Sequence, residues 1–431
     1  MGAARDVAVR VLDRVELQGA FAAAVLEAEL EGVSDPREAA LASEIVYGVL
    51  RSRPWLDRLL EGASDRGLSG IDPTVMNTLR AAAYQIAFLE RVPARAAVSE
   101  AVKQVKSGRA PRLAGLANAL LRKLSRGPRE ELDPGDGQDG DRLGLPGWLL
   151  ERISADWGRA RAVRMARAFN RHSSRTLRIN LSRDAAADLP ERFGETGRLL
   201  PWYVTVADRA EARRLVAEGL ASYQDQGSGL VVAALDPRAG ETILDACAGR
   251  GGKTATIAAV TRGDARITAI DRKGSKLQRL VFELGREGFE AATEVADMTV
   301  PGHPPDGRYD RVLLDAPCTG TGTIGRRPEI RWRLRPEDVD ALVEVQGAML
   351  RKAAKLVRPG GRLVMATCSV LARESRDHAA PFLEEFSDFA LVNDPPEIWP
   401  DAVPWDAGTP FVDPGVTGTD GYGILCLNKS L

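Results

Sequence analysis

Apolar positions in the first 128 residues recur at helical spacing, and no strand-like alternation interrupts them. Ala8, Val11, Leu12 and Val15 fall at i, i+3, i+4 and i+7, the stripe of a helix with one buried face. Leu41, Ile45, Gly48 and Val49 repeat it. Asp72 before Pro73 reads as an N-cap with proline at the first helical position, opening a helix through Met76, Leu79, Ala83 and Ile86. Val98, Val102 and Val105 mark another, stopped by Gly108. Residues 1–128 are therefore predicted to be all-α.

The period then changes. Residues 129–145 are rich in Gly, Pro and acid and read as a linker. A helix is expected from Pro146 to about Asn170, and TLRINLS at 176–182 reads as a strand, so 146–222 is predicted to be a small α+β subdomain. From residue 223 to 431, strands expected at 241–247, 266–271, 292–297, 309–316 and 361–368 alternate with helical stretches. That alternation predicts a doubly wound α/β sheet.

Composition narrows the class. The chain has 431 residues, enough for several domains, and no run of 18 apolar residues, so a membrane span is not expected. The N-terminus is charged and amphipathic without an apolar signal core. The four cysteines (247, 318, 368, 426) form no CxxC pair. Both features point to a reducing cytoplasm. Histidines 172, 303 and 378 are too scattered for a metal cluster, and no metal is expected.

Two cysteines stand at the expected C-terminal ends of strands, in DAPCTGTG (315–322) and ATCS (366–369). In an open parallel sheet those ends form the ligand edge, so Cys318 and Cys368 are candidates for thiol chemistry; Cys426, in GILCLN, reads as core. ETILDACAGRGGKT (241–254) reads as strand, glycine turn and helix start, a place for close backbone approach to a ligand. A Walker A loop is excluded, because Cys247 occupies the place of its first glycine. Asp271 ends the next apolar run, about 20 residues on, as a ribose-binding acid should.

These motifs carry a resemblance. DACAGRGGKT, DAPCTGTGTIGRRPEIRW and ATCSVLARES resemble the motifs of the Sun family of RNA cytosine-5 methyltransferases, with QDQGSGLVVAALDPRAG (224–240) as the lead-in. The first 128 residues resemble the NusB-like RNA-binding domain of the bacterial 16S rRNA members. The resemblance implies an all-α NusB-like bundle followed by a small RNA-binding subdomain and a Rossmann-like S-adenosylmethionine-dependent methyltransferase domain (223–431). It implies Cys368 as nucleophile, Cys318 as the thiol that assists release, and Asp315 as the group facing the ring nitrogen and exocyclic amine of the base. Cofactor contacts carry over to Cys247, Ala248, Gly249, Arg250, Gly251, Gly252 and Lys253, to Asp271 at the ribose, and to Asp297 at the adenine, with Asp315 at the border of the two sites. The expected partner is RNA, 16S rRNA before tRNA, and the expected protein a cytoplasmic monomer. A non-catalytic RNA-binding assembly factor on the same fold is the alternative of another class.

Charge distribution fits an RNA partner better than the net charge of −1 does. Residues 91–129 hold ten Lys/Arg and one acid, and the next twelve residues hold six acids. Lys103, Lys106, Arg109 and Arg112 are read as phosphate contacts, a solvated helix face being the plainer reading. In GTIGRRPEIRWRLR (322–335), Arg326, Arg327, Arg331 and Trp332 are read as RNA-binding, guanidinium groups suiting phosphates and an aromatic face a splayed base. The chain departs from the family pattern at Arg250 (usually proline), Thr319 (serine), Ser375 (asparagine) and Tyr422-Gly423 (two phenylalanines).

Overall fold

The computed structural model describes residues 3–127, 129–132, 135, 137, 139–171, 176–194, 199–300 and 308–431. The chain forms two compact units, Met1–Arg171 with Arg326–Arg333, and His172–Gly325 with Leu334–Leu431. No described helix is long and apolar enough to cross a membrane. His172 and His303 lie outside the described residues.

The helical stripes are the core of the first unit. Six helices, α1 (Ala3–Gln18), α2 (Ala22–Leu30), α3 (Pro36–Ala63), α4 (Pro73–Phe88), α5 (Ala94–Ser107) and α6 (Ala114–Leu124), bury Ala8, Val11, Leu12, Val15, Ile45, Val49, Leu79, Ala83, Ile86, Val98 and Val105. Asp72 caps α4, accepting from the N–H of Thr74 at 3.0 Å and of Val75 at 3.3 Å. Gly48 is in the stripe for room: a Cβ there would lie 1.9 Å from Cζ of Tyr84, so α3 and α4 approach through it.

Residues 129–145 are not a free spacer. The Leu132 carbonyl accepts from Nε1 of Trp55 at 2.8 Å, and Leu143 and Leu145 are buried; residues 133, 134, 136 and 138 lie outside the described residues. The helix expected from 146 to 170 is broken at Gly158 (φ +84) into Gly147–Trp157 and Arg159–Phe169. The units divide at 171, inside the stretch read as one subdomain: its two helices belong to the first unit and its strands to the second.

In the second unit a three-stranded antiparallel sheet, ordered β2-β1-β3, is built from β1 (Thr176–Ile179), β2 (Tyr203–Thr205) and β3 (Ala221–Tyr223). A buried ion pair, Arg178 to Glu287 at 2.5 Å, pins β1 to the end of helix Gly274–Glu287. The large sheet is ordered β10-β11-β8-β7-β4-β5-β6, with β9 on β11. Its strands are β4 (Thr242–Ala246), β5 (Arg266–Asp271), β6 (Ala292–Val295), β7 (Tyr309–Asp315), β8 (Val357–Thr367), β9 (Phe389–Leu391), β10 (Phe411–Val412) and β11 (Tyr422–Lys429). Strands β4 to β8 are mutually parallel, and β11 pairs antiparallel with β8. The C-terminal ends of β4, β5, β7 and β8 therefore share one edge, where parallel sheets place their ligands.

Candidate active site

Register brings the two thiols together. Asp315 on β7 pairs with Ala366 on β8, so Cys318 and Cys368 leave adjacent strands at the same edge. Their Sγ atoms are 3.4 Å apart, both half-buried. The loops are stitched by backbone: Ala316 N–H donates to the Ala366 carbonyl (2.9 Å) and Gly322 N–H to the Cys368 carbonyl (2.9 Å). Gly322 has no room for a side chain, since a Cβ would lie 2.0 Å from the Gly421 carbonyl oxygen. The thiols are unequal. The hydrogen bond from Cys318 stabilises a Cys368 thiolate, with Lys253 helping against burial and Asp315, and the net direction is down. The same bond, burial and the nearby Glu374 carboxylate push the Cys318 thiol well up. Cys426 is fully buried in the core and Cys247 packs behind the glycine turn; burial raises both.

Lys253, 9% exposed on the first turn of helix Gly252–Val260, reaches the same place. Its Nζ donates to Asp315 Oδ2 at 2.8 Å and sits 5.2 Å from the centre of the Tyr422 ring. Burial opposes its charge, but the Asp315 carboxylate outweighs burial and the net direction is up. Among the described residues Asp315 Oδ1 takes no hydrogen bond, so the carboxylate keeps one acceptor for a base. The Lys253 ammonium thus pairs with Asp315, the residue that the resemblance sets at the border of the base and cofactor sites.

The turn itself closes on β5. Cys247 (φ +76) and Ala248 both donate backbone N–H groups to the Ile270 carbonyl, and Gly249 donates to Asp271 Oδ2 at 3.1 Å. Gly251 (φ +86) must be glycine, because a Cβ would lie 2.5 Å from Cγ of Leu280. Asp271 also accepts from Lys273 N–H (2.9 Å) and Lys276 Nζ (3.1 Å). Asp297 lies two residues past β6, beside that strand end; its carboxylate accepts from Thr299 N–H and hydroxyl, which hold it below the usual carboxylate range. Arg250 is exposed at the tip of the turn, so the bulk that replaces proline projects outward. Two other departures meet each other: a Cβ on Gly423 would lie 2.3 Å from Cβ of Ser375.

One element escaped the sequence reading. Gln224 Oε1 accepts from the hydroxyls of Tyr203 (2.6 Å) and Thr256 (2.8 Å), while its Nε2 donates to the Gly252 carbonyl at 2.9 Å, tying the QDQGSG lead-in to the glycine turn. A glutamine in a motif quoted only for its likeness carried no signal of that role.

In the first unit, Lys103, Lys106, Arg109 and Arg112 are all exposed around the end of α5; Lys103 pairs with Glu100 at 2.7 Å. The segment after the Cys318 loop is a correction. Arg331 is fully buried, its guanidinium donating to the carbonyls of Gly144 (2.7 Å) and Arg51 (3.3 Å) and to Asn170 Oδ1 (2.9 Å). Trp332 donates to the Leu50 carbonyl at 2.7 Å and packs on the helical core. The Arg331 side chain is fastened inside the first unit and is not presented to RNA, Trp332 is half-buried there, and Arg326 and Arg327 remain exposed. No group of His, Cys, Asp and Glu among the described residues could hold a metal.

A glycine turn after β4, an acid ending β5 and two touching thiols at the ends of β7 and β8 define a Rossmann-like methyltransferase. The comparisons agree. The model of the 16S rRNA methyltransferase RsmB/F family matches residues 232–402, that of the NusB family 2–126, and that of an RsmF/B-like ferredoxin-like domain 145–198. The chain is 35% identical over 404 residues to the ribosomal RNA small subunit methyltransferase B of Vibrio cholerae, covering 91% of this chain and 90% of that protein. It is 31% identical over 404 residues to a probable ribosomal RNA small subunit methyltransferase B of Synechocystis, covering 90% and 91%. A crystal structure of a methyltransferase homolog from Pyrococcus horikoshii superposes with a TM-score of 0.56 at 26% identity, covering 67% of this chain and 96% of that one. This chain belongs to the ribosomal RNA small subunit methyltransferase B family, rRNA methyltransferases of the S-adenosylmethionine-dependent type with a NusB-like N-terminal domain.

Proposed function

We propose that this protein transfers a methyl group from S-adenosylmethionine to carbon 5 of a cytosine in 16S rRNA, through a covalent bond between Cys368 and carbon 6 of the base. The observation that carries the reading is the 3.4 Å contact between two unequal thiols beside the Lys253–Asp315 pair. Residues 247–253, Asp271 and Asp297 would hold the cofactor; the left-handed turn is open at Gly249, where a Cβ would meet nothing nearer than 3.9 Å, and suits close backbone approach by a ligand. When bound, S-adenosylmethionine supplies an electrophilic methyl carbon.

The chain's own groups do the rest. The Cys368 thiolate bonds to carbon 6, and the displaced electrons make carbon 5 nucleophilic. Asp315 Oδ1 accepts from the exocyclic amine, and the Lys253 ammonium offsets negative charge developing on the ring. Once Cys368 is a neutral thioether, Cys318 no longer faces a neighbouring thiolate, so its own ionisation is eased. Its thiol proton passes to water, the resulting thiolate takes the proton from carbon 5, and the electrons of that C–H bond re-form the ring double bond as the Cys368–carbon 6 bond breaks and Cys368 leaves as a thiolate. The base must leave its stack to reach this edge, and exposed Lys103, Lys106, Arg109 and Arg112 supply phosphate contacts that hold the RNA without reading bases.

The test is methyl transfer from labelled S-adenosylmethionine to deproteinised 16S rRNA and to bulk tRNA from a strain lacking the gene, with bisulfite sequencing of both. A 5-methylcytosine restored at one 16S position is expected. Label confined to tRNA would reassign the substrate, and label on 16S rRNA that bisulfite does not detect would overturn the chemistry.

A further inference from the structure

Glu374 lies outside the reacting groups and is fully buried, yet it takes four hydrogen bonds. Oε1 accepts from Thr319 N–H (2.9 Å) and Gln346 Nε2 (3.1 Å); Oε2 accepts from the hydroxyls of Thr319 and Ser369, each at 2.5 Å. Thr319 follows Cys318 and Ser369 follows Cys368. Gln346 also donates to the Pro317 carbonyl at 2.9 Å, and its Oε1 meets His378 Nε2 at 3.1 Å. One carboxylate therefore bridges the residues next to both thiols, and its glutamine partner holds the residue on the other side of Cys318.

We propose that Glu374 is a positioning residue for the two-thiol reaction, clipping the Cys318 loop to the Cys368 loop and setting the contact between their sulfurs. The proposal rests on the two-thiol reading above. A buried carboxylate is a costly way to fasten two loops; hydroxyl pairs alone would do it with less desolvation. What the carboxylate adds is charge beside Cys318: it disfavours a thiolate there and favours that thiol as donor to Cys368. The clip also gives the hydroxyl side chains of Thr319 and Ser369 a use, since each donates to the carboxylate.

The experiment maps iodoacetamide labelling of the RNA-free full-length protein by mass spectrometry, giving the ratio of Cys368 to Cys318 modification. Glu374→Gln keeps an acceptor and the side-chain shape but removes the charge, and the ratio should fall roughly threefold to tenfold, because a Cys318 thiol without that charge beside it ionises more readily. Thr319→Val with Ser369→Ala severs the two hydroxyl clips and should also lower it, because Cys368 loses its donor; this variant decides if Glu374→Gln does not fold. A role in stability alone would lower the melting temperature and leave the ratio alone, so a ratio within twofold of wild type in the folded variants overturns the proposal. Labelling needs no RNA, so it separates this proposal from the proposed function: wild-type protein that never forms an RNA adduct sinks the latter only.

Discussion

Asp245, on β4 beneath the glycine turn, is fully buried with Oδ2 accepting from the Thr254 hydroxyl at 2.6 Å and Oδ1 without a partner among the described residues. Burial raises its carboxyl from 3.8 to about 6, against the Thr254 hydrogen bond. A carboxyl raised in the folded state favours folding when protonated, so the native state loses stability as pH rises from near 4 through about 6, and the loss is complete above that. The gap between 3.8 and about 6 corresponds to about 3 kcal/mol, of which about 2 kcal/mol falls between pH 4.5 and pH 7.5. Asp245→Asn keeps an oxygen for Thr254 and cannot ionise. Its amide adds a fixed offset, but the difference between variant and wild type should move in the variant's favour by about 2 kcal/mol across that interval. Urea titrations of both proteins at the two pH values, followed by circular dichroism, measure it as the shift in midpoint difference. Parallel pH dependences would show that Asp245 is ionised in the native state across the range and would refute the reasoning.

Three further outcomes are expected. Lys253→Met removes the cation that lowers the Cys368 thiol, so the thiol rises and iodoacetamide labelling of Cys368 near neutral pH should slow severalfold; an unchanged rate would remove Lys253 from the thiol's environment. Asp271→Ala should weaken S-adenosylmethionine binding by about tenfold to a hundredfold through lost charge-assisted hydrogen bonds, read by calorimetry, and unchanged affinity would sink the ribose assignment. Neutralising Lys103, Lys106, Arg109 and Arg112 together should weaken RNA binding and flatten its dependence on salt, because fewer counterions are released; identical affinity and slope in filter binding would leave that face merely solvated.

Periodicity made the helical unit legible because its helices are amphipathic and capped by residues with a mechanism, such as Asp72-Pro73. The parallel strands were legible as apolar runs ending in polar motif residues, which placed Asp271, Asp315, Cys318 and Cys368 on one edge. Antiparallel β9 and β10 were not, since strands of two or three residues carry little pattern of their own, and the eight-residue apolar run of β11 gave no sign that it pairs antiparallel with β8. Arg331 was misjudged for a physical reason: a basic aromatic run looks the same whether its guanidinium meets phosphates or buried carbonyls. Only the fold shows that Gly144, Arg51 and Asn170 gather around Arg331. The Lys253–Asp315 pair, 62 residues apart in sequence, was likewise invisible until strand register joined its halves.

The central claim is that the two thiols divide the work, Cys368 attacking and Cys318 releasing. The direct measurement is denaturing gel electrophoresis of protein incubated with 16S rRNA and S-adenosylmethionine, comparing wild type, Cys318→Ala and Cys368→Ala for a protein–RNA adduct. A stable adduct with Cys318→Ala and none with Cys368→Ala is predicted, with methyl transfer abolished in the latter. An adduct that survives Cys368→Ala and requires Cys318 would reverse the assignment.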